Sequence, residues 1–216
     1  MLLDEPYPPN LAVVPACREC NGEVSADEEY VACLVECTVS RSASADDVGR
    51  EKIKRILSKK PTLGRRLADA CTRIGGVTRF EVEAERVRSV ALKLARGHAF
   101  FELNEPQHRE PSKLMFAPLL SLSTEDRDAF ERAPARVLWP EVGSRGMQRL
   151  ALSDARTTQW LTVQPGRYRY LAYVGDSVIV RIVLSEFLAC EVVWTDVWQA
   201  PKRRYETFGV VAPERV

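Results

Sequence analysis

Arg167-Tyr168-Arg169-Tyr170-Leu171-Ala172-Tyr173-Val174-Gly175-Asp176-Ser177-Val178-Ile179-Val180-Arg181-Ile182-Val183-Leu184 is the stretch that decides the fold class. Two runs rich in Val, Ile and Tyr flank Gly175-Asp176, and their period of two predicts strands joined by a tight turn. The pattern extends both ways, to Trp160–Gln164 across Pro165-Gly166 and to Phe187–Trp194 across a short Ser185-Glu186 turn. Connections this short join antiparallel neighbours, so the C-terminal part is expected to be an antiparallel meander. Trp160, Tyr168, Tyr170, Tyr173 and Trp194 fall on these strands. They are expected to pack in the core and across strands rather than to stack on nucleic-acid bases.

Upstream the period is helical. Ala26 to about Cys37 places Tyr30, Val31, Leu34 and Val35 on one face, and Lys52 to Ser58 does the same with Ile53, Ile56 and Leu57. Pro61 suits the first turn of a helix reaching about Ile74, which Gly75-Gly76 would end. The strongest amphipathic pattern follows, with Ala84, Val87, Val90, Ala91, Leu94 and Ala95 as its apolar stripe and Gly97 beyond its end. Asn104 to Lys113 reads as a loop, and Ser123 or Thr124 caps a short helix through Glu131. Ser40 to Asp47 is small and polar and reads as a linker. The expectation is therefore an α+β protein with a short unit over residues 1–39 and a larger α+β domain over 48–200, helices first and the antiparallel sheet after them.

The chain has 216 residues, 45% hydrophobic and 28% charged, an ordinary globular balance. Its net charge of +1 gives no global basic field, so any nucleic-acid contact must come from a local patch. Lys52, Lys54, Arg55, Lys59, Lys60, Arg65 and Arg66 form such a cluster on two short predicted helices, suited to phosphate contacts or to a solvated face. The six cysteines do not make an evenly spaced secreted framework, and no signal peptide or membrane-spanning run is visible. The cytoplasm is the expected compartment. No Gly-rich phosphate loop, nucleophile elbow or persuasive Ser/His/Asp or Cys/His set is present.

The N-terminal stretch carries the chemistry: Pro9-Asn10-Leu11-Ala12-Val13-Val14-Pro15-Ala16-Cys17-Arg18-Glu19-Cys20-Asn21, followed by Gly22 and Glu23 to Tyr30. Cys-x-x-Cys places two thiolates on a tight knuckle, a half-site for structural Zn²⁺, which takes four ligands. Ser25 with Glu28 three residues on has the form of a capping box, and Asp27, Glu28 and Glu29 suit the positive end of a helix dipole. Those three carboxylates are successive on a helix and cannot converge on one Mg²⁺ ion. Cys33 and Cys37 follow at a spacing that could complete a four-cysteine site, or they are small apolar residues of a buried helix face.

This order of residues resembles the second half of the motif of HNH endonucleases, a ββα-metal fold with a zinc knuckle. The resemblance covers roughly residues 8 to 35, including the Ser25-Ala26-Asp27-Glu28-Glu29-Tyr30 run. It implies that Asn10 is the middle residue of the motif and Asn21 the last, where it helps hold a divalent ion such as Mg²⁺. It makes Cys17 and Cys20 two of four zinc ligands, and assigns Cys33 and Cys37 to packing. In a complete family member a His base and the divalent ion hydrolyse DNA phosphodiesters. Here no His precedes Asn10 and no Cys pair lies upstream of it, so the family's first strand, base and first Cys pair would fall before Met1. His98, placed just past a helix end where the dipole favours its charged form, and His108, in a loop, stand in the wrong order to replace the base. The expectation is an HNH-endonuclease-like protein without nuclease activity as written. The second reading is a non-catalytic zinc-binding or nucleic-acid/protein interaction module.

Overall fold

The computed structural model describes residues 1–9, 11–74, 77–133, 141–152, 159–195 and 210–211. The meander forms as its alternation and turns dictate: β4 (Leu161–Gln164), β5 (Tyr168–Val174), β6 (Ser177–Leu184) and β7 (Leu188–Thr195) pair antiparallel in that order. Gly166 adopts φ +70° in the first turn, a conformation that glycine takes without steric cost. A fifth strand, β3 (Lys113–Pro118), closes the other edge by pairing with β7. Its start lies within the segment expected to be a loop.

Alternation along the strands gives the sheet two buried faces. Tyr168, Tyr170 and Ala172 of β5, with Val180, Ile182, Cys190 and Val192, belong to the main core. Val183 and Ala189 point the other way, onto Leu119 and onto Phe130 of α6 (Thr124–Glu131), where Trp160 also packs. Helix α6 starts as expected, with Ser123 accepting a hydrogen bond from the Asp126 amide.

The main face is covered by α5 (Ala84–Leu103), whose outer side in turn packs on α2 (Ser25–Ser40). Helix α5 runs through Gly97 instead of ending there, and stops at Asn104, which takes the left-handed conformation at φ 59°. His98 is therefore an interior residue of the helix facing the sheet, not a residue beyond its end. The extension follows from packing: Ala99, Glu102 and Leu103 are all buried, and tertiary contact outweighs the cost of one glycine.

Nine residues of α2, Tyr30 to Thr38, are buried in succession, so this stretch of the helix is enclosed on all sides. One continuous core takes in α2, α5 and the sheet. The boundary expected at residues 40–47 divides the sequence but not the core. Those residues form a tight turn, with the Arg41 and Ser42 amides returning to Thr38 and Cys37 carbonyls and the Ser42 hydroxyl donating to Asp47. The expected capping box is also absent: Val24 occupies the cap position of α2, without a side-chain hydrogen bond, and Ser25 is already helical.

Between α2 and α5 lie α3 (Glu51–Lys59) and α4 (Pro61–Asp69), separated by Lys60 alone, and then a hairpin of β1 (Cys71–Ile74) and β2 (Val77–Phe80). The helix expected to reach Ile74 stops at Asp69. Phe80, 1% exposed, anchors the hairpin in the core. A short strand, β8 (Val210–Val211), extends this sheet beside β2. No helix among the described residues is long and apolar enough to cross a membrane.

Candidate nucleic-acid interface

The cysteine knuckle takes an unexpected form. Arg18–Glu23 is a short helix, α1, in which the Asn21 amide donates to the Cys17 carbonyl at 3.0 Å. Cys17 is exposed, whereas Cys33 and Cys37 are completely buried in α2. A closed four-cysteine zinc site needs all four sulfurs around one ion. Two of them lie inside the core and one at the surface, and no group of three His, Cys, Asp or Glu that could hold a metal occurs among the described residues. Cys33 and Cys37 therefore do not complete a closed Zn²⁺ site with the exposed Cys17. Asn10 lies outside the described residues. The Asn21 carboxamide oxygen accepts from Lys93 Nζ at 2.9 Å, and Lys93 also pairs with Glu28 at 2.7 Å. An ammonium beside that oxygen disfavours a divalent ion there by like-charge repulsion.

The three successive carboxylates diverge, as their helical positions require. Asp27 pairs with Arg86, Glu28 with Lys93, and Glu29 with Lys60. They tie the start of α2 to α5 and to the α3–α4 junction, and do not gather an Mg²⁺ ion.

Burial drives the thiols of Cys33, Cys37 and Cys190 up to about 12. In the native protein all three should resist iodoacetamide at mildly alkaline pH and become labelled only in denaturant. Mass spectrometry of labelled peptides checks this, and rapid native labelling of Cys33 or Cys37 would contradict the enclosed position of α2.

The cationic cluster, by contrast, is assembled by the fold. Residues 51–81 carry nine Lys and Arg against three Asp and Glu, a net +6. The whole chain has 31 against 30, so the rest has 22 against 27, a net −5. Helix α3 turns Ile53 and Leu57 inward, and α4 turns Leu67 inward with Leu63 partly covered. That leaves Arg55, Lys59 and Arg65 exposed. On the hairpin, Thr78 and Phe80 face inward, so Arg79 and its cross-strand neighbour Thr72 face solvent.

Pairing distinguishes this face from the other basic helix. Along α5 each cation meets a carboxylate: Arg86 with Asp27 and Glu83, Arg88 and Arg96 with Glu110, Lys93 with Glu28. On α3, α4 and the hairpin, Lys60 and Arg66 are paired with Glu29 and Glu83 and Lys54 with Glu51. Lys52 donates to the Tyr7 hydroxyl and the exposed Arg73 to the Arg41 carbonyl, while Arg55, Lys59, Arg65 and Arg79 have no carboxylate partner among the described residues. The sequence cluster from Lys52 to Arg66 is thus sorted into structural and outward-facing cations. Arg79 was missed because the hairpin was missed. The Gly75-Gly76 pair followed by Val77 and Thr78 is the signal that could have revealed it.

A second polar group, uncharted by sequence reasoning, lies between α5 and the sheet. The His98 ring stacks on Tyr170 with centroids 3.6 Å apart, and its Nε2 shares a hydrogen bond with the Tyr168 hydroxyl. The Tyr170 hydroxyl donates to Glu102, which also pairs with Arg149 of α7 (Arg145–Leu152). Burial pushes His98 down to about 3, so it is neutral. The dipole effect expected to favour its charge does not operate in mid-helix. His108 is exposed on the loop after α5.

Comparison with known proteins finds no matching family model, no matching curated protein and no matching solved structure.

Proposed function

We propose that this chain is a nucleic-acid-binding protein that holds the phosphate backbone without cutting it, an HNH-endonuclease-like chain acting as an interaction module. The observation that carries this reading is the outward face of α3, α4 and the hairpin. It holds four exposed cations with no carboxylate partner among the described residues, in a segment of net +6. Surface cations that stabilise a fold are commonly paired with carboxylates, as those on α5 are. Exposed cations in a segment of net positive charge attract a polyanion, which releases its own counterions on binding. The resemblance of residues 8–35 to the nuclease motif points to the same class of partner. The proposal assigns no chemistry to these residues: His98 is neutral inside the core and the Asn21 carboxamide is held by Lys93.

Fluorescence anisotropy with labelled duplex and single-stranded DNA tests the reading. Four phosphate contacts predict that affinity falls about a hundredfold between 50 and 200 mM salt. The triple variant Arg55→Glu, Lys59→Glu, Arg65→Glu should abolish measurable binding with its circular dichroism unchanged. Binding to either probe that survives the triple variant would overturn the assignment of this face. Mg²⁺-dependent nicking of plasmid by the parent, lost in Asn21→Ala, would overturn the non-catalytic reading.

A further inference from the structure

We infer that the nucleic acid is duplex DNA, with α4 seated in its major groove and the β1–β2 hairpin against the adjoining backbone. The inference rests on the nucleic-acid reading above and adds the form of the partner and the element that enters it.

Shape comes first. Helix α4 buries only Leu67 fully, and at 100° per residue Thr62, Arg65 and Asp69 lie on the opposite side. All three are exposed, so a polar stripe runs the length of the helix. An α-helix with its side chains is about 10–12 Å across, and the major groove of B-DNA, about 12 Å wide, admits one. The minor groove, about 6 Å wide, does not. The major groove of an RNA duplex is deep and narrow and excludes it as well.

The chemistry of the stripe agrees with that placement. Arg65 at its centre is exposed, without a carboxylate partner among the described residues, and able to donate to guanine O6 and N7 or to phosphate. Thr62 can donate or accept at a base edge, and Asp69 is an acceptor for the cytosine amino group. The flanks carry the phosphate contacts. Arg55 and Lys59 lie on α3, which leads into α4 through Lys60 alone, and Arg79 lies on the hairpin that follows it. Cations on the elements that precede and follow α4 suit an arrangement in which backbone contacts set orientation and the helix meets bases.

The absence of aromatic residues argues against a single strand. Unpaired bases are held mainly by stacking on exposed aromatic rings. Residues 51–79 contain no Trp, Tyr, Phe or His, and Phe80 is buried. Residues 51–79 can grip a charged backbone and read edges but offer no ring on which to stack a base. The exposed Tyr7 ring beside α3 is already engaged by the Lys52 ammonium, 5.4 Å from its centroid.

The test uses the full chain and three fluorescein-labelled probes of matched length: a DNA duplex, one of its strands, and the corresponding RNA duplex. The DNA duplex should bind at least about tenfold tighter than either of the others. Two exposed α4 substitutions, Arg65→Ala and Thr62→Glu, should each weaken duplex binding by about tenfold while leaving the melting curve unchanged. Equal or tighter binding of the single strand or the RNA duplex would overturn the inference and leave the general proposal standing. Duplex binding indifferent to both α4 variants would remove α4 from the groove. Failure to bind all three probes would overturn both readings together.

Discussion

Replacing Arg50 with alanine is expected to lower the stability of the folded chain by about 3–5 kcal/mol, the cost of breaking a buried ion pair from one side. Arg50 is the residue just before α3, and its side chain is 4% exposed. Its Nε donates to Asp4 at 2.6 Å, its Nη2 donates to the Met1 and Leu3 carbonyls, and Glu36 lies 3.9 Å away. Asp4 also accepts from Arg167 at 2.6 Å, and its backbone exchanges hydrogen bonds with the Gln164 carboxamide. The guanidinium thus joins the N-terminal segment to α2, and Asp4 carries the connection on to the sheet edge. Without it Glu36, 5% exposed, keeps Arg167 at 3.4 Å and the backbone amide of residue 50, and burial already pushes its carboxyl above the ordinary range. The measurement is a urea unfolding curve, in which the midpoint should fall without a change of slope. The double variant Arg50→Met with Glu36→Leu should recover much of the loss, because it removes both buried charges together. A loss below about 1 kcal/mol for Arg50→Ala, the range of exposed pairs, would show the network to be peripheral.

His98 predicts a second large effect, in pH dependence. Its folded value of about 3 lies below the ordinary 6.5, because burial opposes the charged ring. Between those values the unfolded chain binds a proton that the folded chain refuses. Stability is therefore full above pH 6.5 and falls as the pH drops toward 3. From pH 7 to pH 5 the loss is about 2 kcal/mol, one and a half units at about 1.4 kcal/mol each. Asp4, Glu131 and Glu191 are held below the ordinary carboxylate range despite the opposing effect of burial, by their Arg and Lys partners, so their losses come at lower pH. Glu36, raised by burial, acts in the opposite sense. The clean measurement is the difference between the parent and His98→Gln, which keeps an amide near Tyr168 but cannot titrate. The parent should lose stability over pH 7 to 5 relative to the variant. Parallel curves would mean that His98 takes up its proton in the folded state.

Local periodicity was sufficient for the C-terminal meander. Strands four to eight residues long, separated by turns of two or three, leave almost no alternative to antiparallel neighbours, and the alternation of Tyr168, Tyr170 and Ala172 assigns their face. Helix α6 was likewise legible, because a serine cap is a local hydrogen bond that needs no tertiary partner. The cationic composition of residues 52–66 was visible too.

Only the tertiary structure decided the rest. Gly97 ends an isolated helix by propensity, but burial of Ala99, Glu102 and Leu103 against the sheet carries α5 about two turns further and encloses His98. Cys33 and Cys37 have the spacing of metal ligands, and a core packed around every side of α2 removes them from the surface where Cys17 lies. The separation of paired from outward-facing cations depended on which carboxylates the fold brings within reach: Glu29 for Lys60 and Glu83 for Arg66, distant by 31 and 17 residues in the chain. Sequence alone determined how many charges this segment carries and which faces of its helices are apolar, because those follow from residue identity and helical period. Which charges remain available to a partner was settled in three dimensions, since neutralisation by an ion pair falls steeply with distance and sequence separation does not measure distance.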